Sequence, residues 1–165
     1  MNVISIHPGT WASLQSQRGR LPHALLLVGQ RGLGKFALAQ AFAKSLLCEQ
    51  PLDGGHFCDE CLACNWFEHD NHPDFRLLQP QAMVEEGEVD EGRKKASQQI
   101  TIDQVRALDS FFNVGTHRAG VKIIVVNPAD AMNRNTANAL LKSLEEPAPG
   151  TLFLMVSSEP LRLIR

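Results

Sequence analysis

Ala24-Leu-Leu-Leu-Val28, running directly into Gly29-Gln-Arg-Gly-Leu-Gly34-Lys35-Phe36, is the stretch from which the fold is read. The unbroken apolar run has the length of a strand. Hydrophobicity that does not alternate predicts a parallel strand buried on both faces. The turn that follows fits Gly-x-x-x-x-Gly-Lys, with glycines at Gly29, Gly32 and Gly34 and the lysine at Lys35. Between a strand and a helix, such glycines let backbone N–H groups curl around phosphates; the helix N-terminus adds positive potential, and the lysine reaches the terminal phosphates. Lys35 to Leu47 supplies that helix: Phe36, Leu38, Ala39, Phe42, Ala43, Leu46 and Leu47 recur at steps of three and four.

Outward from this unit, strands and helices alternate. Upstream, Thr10 to Gln17 reads as a short amphipathic helix on Trp11 and Leu14. Downstream, Phe75 to Leu78 is a strand candidate. Residues 84–99 hold five acids, then Arg93, Lys94 and Lys95, with too little apolar surface to order themselves, and are expected to form a mobile acidic loop. Thr101-x-x-Gln104 has the form of a capping box opening a helix through about Val114. Val121 to Val126 is the clearest strand. A helix over about Arg134 to Glu146 stops at Pro147, and Leu152 to Val156 adds a last strand. From Pro160 another element begins. This order predicts an α/β fold, an open parallel sheet flanked by helices.

Composition agrees with a globular domain. The chain has 165 residues, 44% hydrophobic and 21% charged, a size that buries roughly 70% of the unfolded surface. No apolar run exceeds five residues, so no membrane span is expected, and no export signal is read at the start. Sixteen basic and eighteen acidic residues give a net charge of −2, which excludes nucleic-acid binding by bulk positive charge. A local patch of Arg18, Arg20 and Arg31 keeps open the reading of a zinc-bearing DNA-binding domain.

All four cysteines, Cys48, Cys58, Cys61 and Cys64, fall in one segment spaced Cys-x9-Cys-x2-Cys-x2-Cys. A two-residue spacing turns both sulfurs to one side, and four thiolates complete the tetrahedral shell of a structural zinc. Disulfides are the competing reading, rare in a reducing cytoplasm. With every coordination position filled by protein, the ion is expected to be structural. His56 is a nearby competitor that four sulfurs make unnecessary.

The nucleotide machinery is incomplete. After Gly-Lys a phosphate-binding loop carries Ser or Thr, whose hydroxyl ligates magnesium; here the residue is Phe36. A later strand ends on an acid that holds the metal; here Val121–Val126 ends on Asn127-Pro128, and Asp130 comes only after the chain has turned off the strand. Hydrolysis is therefore not expected. Lys35 and the loop backbone remain, so plain nucleotide binding stays open.

Asn138-Ala-Leu-Leu-Lys-Ser-Leu-Glu-Glu-Pro147, Pro22-His-Ala-Leu-Leu-Leu27 leading into the glycine loop, and the four-cysteine insert together resemble bacterial clamp-loader subunits of DNA polymerase III, across the whole chain. Phe36, Asn127 and Pro128 make the sequence similar to the family's non-hydrolysing type; the alternative is an active gamma/tau-type ATPase. The resemblance implies an AAA+ domain over 1–165 with a zinc module at about 48–64 inserted, the family's C-terminal lid and collar lying outside this chain. It implies a cytoplasmic part of the polymerase holoenzyme, a DNA-directed DNA polymerase (a nucleotidyltransferase assembly), with no catalytic activity of its own. Partners would be gamma/tau and delta types of subunit, with the sliding clamp and primed DNA met through the complex. The family's arginine finger, in a Ser-Arg-Cys motif, would fall beyond Arg165 and maps to no residue here. Ser157 takes the nucleotide-sensing position, as a vestige.

Glu145 and Glu146 end a helix, where the dipole is negative and each carboxylate costs about 0.3–1 kcal/mol. Two readings stand: a solvated helix end partly offset by Lys142, or acids that face a basic group on another subunit.

Overall fold

The computed structural model describes residues 3–30, 32–81, 98–114 and 120–158. In chain order the elements are α1 (Val3–Ile6), α2 (Pro8–Ser16), β1 (Ala24–Val28), α3 (Lys35–Leu47), α4 (Leu62–Glu68), β2 (Phe75–Leu78), α5 (Ile102–Arg106), α6 (Leu108–Asn113), β3 (Lys122–Val126), α7 (Arg134–Glu145) and β4 (Thr151–Ser157). The four strands form one parallel sheet in the order β1-β4-β3-β2. Ala24 lies opposite Phe153 and Val28 opposite Ser157; Lys122 lies opposite Thr151 and Val126 opposite Met155.

The two central strands carry two cores. Every residue of β3 is buried. Ile123, Val125, Leu152 and Leu154 meet α3 on one face, where Phe42 is fully enclosed. Ile124, Val126 and Phe153 meet Val105, Leu108, Phe111 and Leu140 on the other. The parallel sheet with helices on both faces is thus the expected architecture, with one correction. β1 is an edge strand: Leu25 and Leu27 face the α3 core, while Leu26 and Val28 stay about half exposed, at 47% and 50%. Its apolar run reflects a strand with a neighbour on one side only among the described residues.

The helix expected over Thr101 to Val114 is two short helices that break at Ala107. Val105, Leu108 and Phe111 are buried at steps of three, which on one straight helix would smear across about 120°. The break keeps all three on the core. The capping box is formed: Thr101 Oγ1 accepts from Gln104 N–H at 3.3 Å, and Gln104 Oε1 accepts from Thr101 N–H at 2.8 Å. At the far end, the buried Lys122 donates from Nζ to the carbonyls of Phe111 and Val114, placing a cation where the α6 carbonyls have no helical partner. α7 starts at Asn133, whose side chain accepts from Thr136 N–H at 2.8 Å.

The acidic loop read at 84–99 lies, except for its last two residues, outside the described residues, as does the element read from Pro160. No helix among the described residues is long and apolar enough to cross a membrane.

Phe153 is fully buried and stacks on Phe112 at 6.1 Å between ring centroids. Phe153→Ala is expected to cost roughly 3–5 kcal/mol, read as a lowered urea midpoint with an unchanged slope.

Candidate functional site

At the C-terminal ends of the parallel strands lies the glycine loop. Gly32 (φ +84°) and Gly34 (φ +80°) occupy the left-handed region, and Gly34 N-caps α3, so this turn is built for glycine. Gly29 N–H donates to the Ser157 carbonyl at 3.3 Å, fixing the loop to the end of β4. Lys35 folds back over the loop. Its Nζ donates to the Gly29 carbonyl, to the Gln30 carbonyl at 2.9 Å and to Ser158 Oγ at 3.2 Å. Phe36 packs half-buried against the α3 core. Where a hydroxyl would serve a magnesium ion, this chain has an aromatic ring turned to apolar neighbours.

The structure brings Ser157, fully buried opposite Val28, to the same sheet end as Asn127. Asn127 N–H donates to the Leu78 carbonyl at 2.9 Å, and after Pro128 the Ala129 N–H donates to the Val156 carbonyl at 2.8 Å, so backbone bonds hold this corner. Asp130 is elsewhere: it lines a cavity of about 570 Å³ against α7 with Met132, Arg134 and Leu144. Beside the loop itself is a groove of about 400 Å³ lined by His7, Thr10, Leu14, Val28, Leu33 and Lys35, among others. No carboxylate is among its described lining residues.

The second centre hangs from the other end of α3. Cys48 is the residue that closes α3, and Cys61 N-caps α4 with its sulfur accepting from Cys64 N–H at 3.4 Å. All four Sγ atoms lie within 4.8 Å of one another. Two sulfurs on one tetrahedral metal with 2.3 Å bonds sit about 3.8 Å apart. The 4.0 Å between Cys48 and Cys61 is close to that, so the set fits one ion. Further N–H groups point at the sulfurs: Glu60 and Cys61 at Cys58 (3.4 and 3.2 Å), Cys58 at Cys48 (3.4 Å) and Glu49 at Cys61 (3.5 Å). Such donors favour thiolate over thiol. Burial pushes the Cys61 thiol up, but the N–H groups of Glu49 and Cys64 outweigh it and bring it down to about 7. Burial dominates at Cys48 and Cys64 and raises both. His56 stays out of the cluster, its ring 5.8 Å from that of Trp11.

Two side chains that the sequence reading did not link to this centre border it. Lys44, 3% exposed, donates to Asp59 and Glu68 on either side of Cys61–Cys64 and lies 4.2 Å from the Phe57 ring centre. Burial works against its charge, and the two carboxylates outweigh that and raise its pKa. Trp11 Nε1 donates to the Gly54 carbonyl at 3.0 Å. A signal for Lys44 was present: it falls on the buried stripe of α3, four residues before Cys48, and residues 48–70 hold six acids and no Lys or Arg. Glu145 and Glu146 are exposed at the end of α7, and no ion pair joins them to Lys142 among the described residues. Arg18 donates to Gln15 Oε1 (2.9 Å) and the Ser45 carbonyl (2.7 Å).

A parallel sheet with a glycine loop at the head of α3, and a four-cysteine module at its foot, defines a domain of the AAA+ type. A DNA polymerase III gamma subunit-related protein of Thermotoga maritima superposes with a TM-score of 0.61 at 17% identity, over 93% of this chain and 41% of that one, and so shares the fold. Residues 7–165 match the family described as DNA polymerase III, delta subunit, and the chain belongs to that family. Proteins named DNA polymerase III subunit delta' place it with the delta-prime members: that of Pseudomonas aeruginosa is 41% identical over 93% of this chain, and that of Bacillus subtilis 36% over 90%. The chain spans 42% and 40% of their respective lengths.

Against burial, backbone N–H groups bring the Cys61 thiol down, while burial raises that of Cys64, which is also the more enclosed of the two. In chain stripped of metal by a chelator, iodoacetamide at neutral pH is expected to label Cys61 before Cys64, read by peptide mass mapping.

Proposed function

We propose that this chain is the AAA+ domain of a non-hydrolysing delta-prime subunit of the DNA polymerase III clamp loader, helping to place a sliding clamp on primed DNA. The whole of 1–165 serves as that domain, with the module at 48–64 as its insert and the lid and collar supplied elsewhere in the longer protein. What supports the reading is Lys35. Its ammonium is already occupied by the loop's own carbonyls and Ser158, next to a phenylalanine and an Asn-Pro corner where a magnesium site needs a hydroxyl and a carboxylate. Gly29, Gly32, Gly34, Lys35 and Phe36 are then a retained scaffold, Asn127 and Pro128 a lost metal corner, and Ser157 a retired sensor. Partners are the gamma/tau and delta types of subunit, in the cytoplasm, with clamp and DNA reached through the assembly.

Cys48, Cys58, Cys61 and Cys64 hold a structural zinc in this reading. Four-sulfur tetrahedral sites favour zinc, and a closed shell leaves no position for water or substrate. The metal supplies folding energy and closes the segment; the protein's part is to aim the sulfurs and to solvate them with backbone N–H groups.

Magnesium-dependent ATP turnover by the purified chain is expected to stay at background. Turnover that is measurable and is abolished by Lys35→Ala would overturn the reading in favour of a gamma/tau-type ATPase.

Glu145 and Glu146, exposed at the α7 terminus, are proposed to face a basic group on a neighbouring subunit. Glu145→Lys with Glu146→Lys is expected to weaken assembly of the clamp-loader complex by roughly tenfold while leaving the fold intact, because like charges then meet across the contact. Sedimentation of the reconstituted complex measures this, and unchanged assembly rejects the interface role.

A further inference from the structure

α2 has a face on each of the two centres. On one side it rests on the cysteine segment. The turn Asp53–Gly55 lies within the nine residues between Cys48 and Cys58, and Gly54 in that turn accepts the Trp11 Nε1 hydrogen bond at 3.0 Å. The His56 ring lies 5.8 Å from the Trp11 ring. Gly55 (φ +77°) is pressed so closely on α2 that a Cβ there would fall 1.9 Å from Gln15 Oε1, and Gln15 Nε2 continues to Ser45 Oγ on α3 at 3.2 Å. On the other side, Thr10 and Leu14 of α2, with His7 just before it, form a wall of the groove beside Lys35, and His7 Nε2 donates to the Leu33 carbonyl in the glycine loop.

α2 also rests on α3, where Trp11 and Leu14 join the main core and the Trp11 ring meets the Phe42 ring edge-on at 6.4 Å. It is nine residues long, a length that is marginal without tertiary support, and it buries only Trp11 and Leu14. Trp11, the larger of the two, stands on the 53–56 turn. That turn has two glycines at positive φ and is closed on itself by Leu52 N–H on the His56 carbonyl (2.7 Å) and Gly55 N–H on the Leu52 carbonyl (3.1 Å), so where it sits, rather than its internal shape, depends on how its ends are joined at Cys48 and Cys58. α3 and the sheet need no such help, because Phe42, Leu47 and β3 are enclosed by the main core.

We propose that the metal at Cys48, Cys58, Cys61 and Cys64 sets the position of α2, with Trp11 as the positioning residue, and through α2 the shape of the groove beside the glycine loop. The inference rests on the metal reading given above. Metal closes the 48–58 segment; the closed segment presents the Gly54 carbonyl and the His56 ring; Trp11 seats on them; and α2 holds His7 against Leu33.

Amide hydrogen exchange is followed across residues 8–16 and 122–126 in the full chain, before and after a chelator removes the metal, with bound metal counted on the same samples. Metal removal is expected to speed exchange in 8–16 by roughly tenfold or more while 122–126 is unchanged. In Trp66→Phe, where Trp11 is the one remaining tryptophan, the emission shifts to the red on metal removal. Trp11→Phe keeps an aromatic ring and drops the donor; it is expected to retain one metal per chain yet show the faster 8–16 exchange with the metal in place. Metal that binds and is removed with no change in 8–16 overturns the proposal and leaves the metal reading standing. A chain that carries no metal as purified overturns the metal reading, and the proposal with it. Loss of protection in both segments together also overturns it, since the centre then supports the whole fold rather than α2.

Discussion

The burial of one helix against one sheet is the constraint on which both centres depend. α3 begins at Gly34 and ends at Cys48, so the glycine loop and the first cysteine are joined by thirteen helical residues with no flexible joint between them. Phe42, Ala39 and Ala43 are fully buried against the inner strands, and Leu47 nearly so. At about 25 cal/mol per Å² of apolar surface, a fully buried Phe or Leu contributes on the order of 1.5–3 kcal/mol, and α3 buries several apolar side chains at once. Packing therefore decides where the helix lies. The polar groups at its two ends adjust to a position that the core has already fixed.

Three lysines show how the chain keeps cations inside or against the core. Lys122 meets carbonyls at the end of α6, Lys35 meets carbonyls of the loop, and Lys44 meets two carboxylates. The Lys44 pairs look strong, yet Asp59 and Glu68 are 60% and 62% exposed, so water screens them and the pairs add little net stability. Their effect is one of specificity: a desolvated ammonium without partners costs several kcal/mol, so alternative placements of the cysteine segment that would leave Lys44 unpaired are disfavoured. Lys44 selects an orientation for the module; it does not glue it down.

How much of this was legible in the sequence depends on the range of the interaction. β3, α3 and α7 were readable because apolar periodicity is a local property, and the glycine loop and cysteine spacing because their chemistry is local too. The edge position of β1 was not, since Ala24–Val28 has the same apolar run whether one neighbour pairs with it or two. The break at Ala107 follows from where the core needs Val105, Leu108 and Phe111, which the capping box at Thr101 does not reveal. α4 is only seven residues long, and although Leu62, Ala63, Trp66 and Phe67 fall at helical spacing, its start is set by Cys61 as N-cap, a role its metal-ligand spacing concealed. Trp11 read correctly as a buried helix residue, but its partner Gly54 is 43 positions away, and no pattern along the chain links them.

The same physics connects the altered glycine loop to a rigid role in the proposed assembly. In a phosphate-binding loop the lysine reaches the terminal phosphates. Here Lys35 already donates to two carbonyls and a hydroxyl. A hydrogen bond to a charged group contributes about 1.5–3 kcal/mol, and exchanging a satisfied one for a phosphate returns only the difference between the two. Phe36 packs against the core and Asn127 is held by backbone bonds to its neighbours, so neither position carries the hydroxyl or the carboxylate of a magnesium site. A pocket that is ordered without its ligand shows little change when the ligand comes and goes. In the proposed assembly such a pocket would suit a subunit against which hydrolysing neighbours move.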